Sequence, residues 1–112
     1  MSDSEERGAP LVSTLAGDPE MADLLEMFVA ELPDRVRALQ AALAASDMTT
    51  LQRLAHQLKG AAGGYGFPTI TDAARTLEMS VKAQRSVEEL RRDTAVLADL
   101  CQRARSAVTG DK

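Results

Sequence analysis

Residues 46–66 read SDMTTLQRLAHQLKGAAGGYG, and the fold turns on how this stretch is punctuated. Asp47 is a helix N-cap residue, with a carboxylate able to accept the first free backbone N–H groups. From Met48 onward the apolar residues fall at Leu51, Leu54, Ala55, Leu58, Ala61 and Ala62. Steps of three and four place them in one stripe on a helix. Gly63 and Gly64 stop the run, and Gly66 beyond them suits the left-handed residue of a helix C-terminus. The stretch predicts a helix that is apolar on one side only and must bury that side against others of its kind.

Such partners lie on both sides. Gly17-Asp18-Pro19 starts an earlier helix, with Asp18 as cap and Pro19 in the first helical position. Met21, Leu24, Leu25, Phe28 and Leu32 recur at steps of three and four, and Val36, Leu39 and Leu43 keep the phase beyond Pro33. This predicts one long helix, about 19–45, kinked near Pro33; two helices with a tight joint are the alternative. Pro68 opens a third helix with Ile70, Ala73, Ala74, Leu77 and Val81 on one face. Ser86 and Glu89 make a capping box for a fourth, whose apolar register runs Val87, Leu90, Thr94, Leu97, Cys101, Ala104 and Val108. Four amphipathic helices with short connections imply an all-α, up-down-up-down four-helix bundle. Residues 1–10 carry no apolar period and read as a flexible arm, with the bundle domain over 11–110. Leu11, Val12 and Leu15 are expected to form a short turn or helix over one end of the core.

Composition narrows the function. The chain has 112 residues, the length of a single domain. Its aromatics amount to 3% (Phe28, Tyr65 and Phe67), which disfavours strands and suits the helical reading. Thirteen Lys+Arg against seventeen Asp+Glu, a net charge of −4, argue against nucleic acid as a partner. One cysteine, Cys101, excludes an internal disulfide and a cysteine zinc site, and its register reads as a buried, inert thiol. One histidine, His56, excludes a multi-histidine metal site and most acid–base triads, so no metal site is expected. No apolar run approaches membrane-spanning length, and the acidic N-terminus is no signal peptide, so the cytoplasm is the expected compartment. Met21, Met27, Met48 and Met79 read as core or core-edge filler.

His56 is the residue these exclusions leave. On a helix, Gln52, Lys59, Gly60 and Gly63 lie within roughly 60° of it, and the apolar stripe points largely elsewhere. His56 is thus expected on a solvent-facing surface. A glycine inside a helix costs about 1 kcal/mol relative to alanine. Close approach of another molecule's backbone is one feature that offsets the cost at Gly60; close packing of a neighbouring helix is the other. Gly63-Gly64-Tyr65-Gly66 lacks the lysine and hydroxyl of a phosphate-binding loop.

His56-Gln57-Leu58-Lys59-Gly60-Ala61-Ala62 resembles the HxLKG signature of histidine-containing phosphotransfer (HPt) domains. Gly66, ten positions after the histidine, the Leu77-Glu78 pair, and the long helix with Phe28 and Pro33 resemble the family pattern too. The likeness covers about residues 18–108. It implies a phosphorelay intermediate that is not an enzyme in its own right and has no ATP-binding domain. His56 would accept a phosphoryl group from a receiver-domain aspartate and pass it to another. Lys59 would steady the phosphoryl group electrostatically. Glu78 would hold the imidazole ring, unless it is simply solvated beside Leu77. Gln52, Gly60, Gly63 and Lys82 would meet the receiver. The implied partners are response-regulator receiver domains and a hybrid histidine kinase. The implied state is a monomer without a cofactor, with Mg²⁺ on the receiver. Receiver docking also needs some apolar surface, for which Ala61, Tyr65 and Phe67 are candidates. Two other readings stand beside this one: a helical adaptor without phosphate chemistry, and an HPt-like domain that only docks a receiver.

Overall fold

Capping chemistry sets where each helix begins. In the computed structural model, which describes residues 9–107, Asp18 accepts from the N–H of Glu20 and opens a 3-10 turn, Pro19–Met21. The turn feeds directly into α1, Ala22–Ala44. Asp47 accepts from the N–H of Thr50 at the start of α2, Met48–Gly64. Pro68 is the first residue of α3, Pro68–Lys82, where its missing N–H costs nothing. Ser86 and Glu89 make both halves of the capping box at α4, Val87–Arg103. Helix α1 runs through Pro33 as one helix, with Leu32 and Val36 buried on either side of it. Burial of that unbroken apolar stripe outweighs the backbone bond proline removes.

The connections at 45–47, 65–67 and 83–86 are too short for anything but antiparallel neighbours. Helix α1 packs on α2 and α4, and α3 packs on the same two, which closes an up-down-up-down bundle. Its centre is Leu32 and Leu39 of α1, Leu51 and Leu58 of α2, Ile70 and Leu77 of α3, and Leu97 of α4, with Leu25 buried apart from that cluster. Burying a side chain of this kind contributes roughly 1.5–3 kcal/mol. Cys101 is buried as its register indicates, and burial pushes its thiol up to about 12.

Three helices end in the same way. Ser46, Gly66 and Gln84 take positive φ of 56°, 81° and 56° after α1, α2 and α3. In each case the next residue's N–H reaches back to close the last turn: Asp47 to Ala42, Phe67 to Ala62, Arg85 to Ser80. Only at Gly66 does the surrounding chain also exclude a side chain. A Cβ there would lie 2.6 Å from Ser13 Oγ and 2.7 Å from Thr14 Oγ1.

The segment before α1 differs from expectation. Leu11–Val12 is a two-residue strand, β1, paired in parallel with β2, Ala104–Arg105. Helix α4 stops at Arg103 and Ala104 turns extended, so its backbone groups need new partners and find them in β1. Ser13 Oγ donates to the Tyr65 carbonyl (2.6 Å), the Thr14 N–H to that of Gly66 (2.8 Å), and Arg103 Nε to that of Ala9 (2.9 Å). Residues 1–8 of the expected arm, and Val108 with the end of the expected domain, lie outside the described residues.

Some apolar side chains read as core or core-edge residues are exposed instead. Met27 is 61% exposed and Leu24 is exposed beside it. Phe28 stacks on Tyr65, the residue just after α2, while Met27 stands about 100° round the helix from Phe28, away from the buried face. Met79 (60% exposed) points away from the core on α3, next to buried Glu78, and Val87 is exposed as the first residue of α4.

Candidate phosphoacceptor site

Helix α2 buries Leu51, Ala55, Leu58 and Ala62, which turns His56 outward; its side chain is 65% exposed. Helix α3 supplies the other half of the site. Its buried residues are Ile70, Ala74, Leu77, Glu78 and Val81. Glu78 thus occupies a position of the core-facing stripe, and its side chain is only 5% exposed. The reading of Glu78 as a solvated residue is thereby overturned.

A buried carboxylate needs partners, and Glu78 has three. Oε1 lies 2.8 Å from Lys59 Nζ. Oε2 lies 2.9 Å from His56 Nδ1 and 3.5 Å from Lys82 Nζ. The bond from Lys59 does most to hold the carboxyl down at about 2. Burial opposes it, while the His56 bond and the charges of Lys59 and Lys82 assist. An ionised carboxylate only accepts, so the proton of the His56 contact sits on Nδ1. The lone pair is then on Nε2, on the side of the ring away from Glu78.

The other candidates fall around this centre. Gln52 and Lys82 line a hollow of about 450 Å³ with His56 and Glu78. Gly60 and Gly63, one and two turns beyond His56, are exposed. A Cβ at Gly60 would meet nothing within 4 Å, so helix packing does not explain that glycine. At Gly63 a Cβ would touch Thr71 Oγ1 at 3.4 Å, an ordinary contact. Phe67, expected to offer apolar docking surface, is instead 3% exposed, tilted against Phe28 at 5.8 Å. Tyr65 and Ala61 are half-buried.

Arg53 and Thr49 also line the hollow, and neither stood out in the sequence. Arg53 precedes His56 by three residues, so the angular argument that selects Gln52 and Lys59 applies to it equally. Thr71 Oγ1 donates to the Lys59 carbonyl (3.1 Å) and ties α3 to α2 beside the site. Among the described residues, no three His, Cys, Asp or Glu side chains cluster as metal ligands, and no helix is long and apolar enough to cross a membrane.

No curated protein matches the chain. Among solved structures, it is similar to the HPt domain of an Hpt sensor hybrid histidine kinase from Shewanella. The two are 31% identical, the match covers 72% of this chain and 69% of that one, and the TM-score is 0.63. The Hpt domain family model matches residues 23–107, which span all four helices and the His56–Glu78 pair. The chain belongs to the Hpt domain family, the histidine phosphotransfer modules of two-component phosphorelays.

Proposed function

We propose that His56 is the residue that carries the phosphoryl group, with Glu78 as its positioning residue. The observation that supports this most is the 2.9 Å contact from an exposed imidazole to a buried, ionised carboxylate. In the transfer step the Nε2 lone pair attacks phosphorus of a receiver's aspartyl phosphate. The N–P bond forms as the acyl O–P bond breaks, and the aspartate leaves as a carboxylate. With Nδ1 still protonated, the phosphorylated ring is cationic, and the Glu78 carboxylate stabilises that charge. A second receiver aspartate reverses the step. Such transfer is mostly positioning and charge stabilisation, which this small surface suits.

Lys59 steadies Glu78 and adds positive charge beside the incoming phosphoryl oxygens. Gln52, Gly60, Gly63 and Lys82 form the surface that the receiver meets, and the bare backbone at Gly60 lets it approach closely. On this reading the protein acts as a cytoplasmic monomer with no cofactor of its own, and the Mg²⁺ belongs to the receiver. The test is a transfer assay with an aspartyl-phosphorylated receiver and Mg²⁺. Acid-labile, base-stable phosphate is expected on His56 by mass spectrometry and absent from His56→Gln. A folded wild-type protein that binds receivers but takes no label would leave a docking role only.

A further inference from the structure

The hollow beside His56 continues into a larger one. The two share Thr49, Gln52 and Lys82, and the second, about 560 Å³, runs between the start of α2 and the end of α3 to the first turn of α4. Met48, Val81 and Leu90 make its lining partly apolar. The basic groups along the two hollows are Arg53, which lines the smaller one beside His56, Lys82, which lines both, and Arg85 at the far end of the larger. The one carboxylate that lines either hollow is Glu78, already matched by Lys59 and Lys82.

These arginines differ from most others in the chain. Arg35, Arg37, Arg75, Arg92 and Arg103 each meet a carboxylate three or four residues away on their own helix. Among the described residues, Arg53, Arg85, Arg91 and Arg105 form no such ion pair, and of these only Arg53 and Arg85 line the two hollows. The nearby acids, Asp47 and Glu89, are engaged as helix caps. A protein of net charge −4 thus keeps a local basic strip that starts at His56. Ser46 and Gln84, which close the ends of α1 and α3 with positive φ, both line the larger hollow. Side chains stand there in a conformation that glycine adopts at less cost.

We infer that this basic groove selects the partner: it takes an acidic segment of the receiver domain, laid beside the site while the phosphoryl group moves to His56. The inference rests on the phosphotransfer reading of His56. Basic groups spread along an apolar floor suit a peptide segment with carboxylates and an aliphatic side chain between them. A free phosphate would call for donors converging on one point.

The experiment uses the full chain, phosphoramidate as a small donor, and receiver domains from the protein's own source organism. Phosphoramidate needs no docking surface. If neither it nor any phosphorylated receiver labels wild-type His56, the phosphotransfer reading falls and the groove with it. For a receiver that does transfer, Arg53→Glu/Arg85→Glu is expected to raise KM about tenfold, with the loss in KM and little in kcat. The salt dependence of KM should flatten in the same variant, which a merely structural role would not produce. Arg53→Gln/Arg85→Gln, checked by circular dichroism, should show a smaller shift in the same direction. Unchanged KM and salt dependence in a folded variant overturn the groove while leaving His56 phosphotransfer standing. Inorganic phosphate bound by the wild type and lost in the variant, with receiver KM unchanged, marks a small-anion site and also overturns it.

Discussion

Glu78 Oε2 lies 2.9 Å from His56 Nδ1 across a sequence separation of 22 residues, and the other oxygen of the same carboxylate lies 2.8 Å from Lys59 Nζ. One buried group thus sets the tautomer of the ring and holds the lysine one turn away from it.

Replacing Glu78 by Gln removes the charge while keeping the shape. Transfer from a receiver to His56 should slow roughly ten- to hundredfold, on the scale seen when a metal-bound histidine loses the partner that orients it. The ¹⁵N spectrum of the ring should change from one Nδ1–H tautomer to a mixture, which separates orientation from a general structural loss. An unchanged tautomer with unchanged rate would remove Glu78 from the mechanism.

The same carboxylate predicts a pH dependence. Its pKa is about 2 in the folded protein against an ordinary value of 4.5. A depressed carboxyl stabilises the fold fully above its unfolded value, and that contribution drains away as pH falls from about 4.5 through about 2. Urea midpoints of the wild type and Glu78→Gln should therefore converge over that window. A constant difference across it would mean that Glu78 keeps its ordinary value in the folded protein.

At Gly60 stability and activity should part company. The open space around a Cβ predicts that Gly60→Ala stabilises the protein by up to about 1 kcal/mol, the helix-propensity difference. Gly60→Gln should fold equally well yet block transfer by standing in the path of the receiver. Normal transfer rates in Gly60→Gln would end the clearance argument.

The positive-φ ends should respond in opposite directions. Gly66→Ala puts a Cβ against Ser13 and Thr14 in a left-handed conformation, which costs about 1–2 kcal/mol for the backbone alone. Ser46→Gly and Gln84→Gly relieve the same conformation and should gain a few tenths of a kcal/mol or more. Denaturation curves of the three variants decide this, and a stabilised Gly66→Ala would contradict the observed turn.

The helices were legible because their signals are local. Asp47 and the Ser86–Glu89 box mark boundaries through bonds to residues three positions away, and Pro68 marks one through the N–H it lacks. The pairing of Leu11–Val12 with Ala104–Arg105 was not legible, because two residues of strand at opposite ends of a chain leave no periodic trace. Met27 reads as core filler from its residue type alone, yet it stands about 100° round the helix from Phe28, off the buried stripe. At the site, His56, Lys59 and Gly60 shared one helix face and were found together. The role of Glu78 depended on how α3 is rotated against α2. The pattern Ile70, Ala74, Leu77, Glu78, Val81 contains that rotation, but only once a carboxylate is allowed in an apolar stripe.

The β1–β2 pairing and the tie from Ser13 to Tyr65 gather residues 9–13 and 104–107 at the end of the bundle where α2 finishes. The groove through Ser46, Gln84 and Arg85 lies at the opposite end. A surface linker or a reporter joined at residue 9 or residue 107 therefore starts at the far pole from the groove. Held from that pole, the protein presents its basic groove outward, with His56 partway along the flank, so a tethered sample remains a fair bait for receivers.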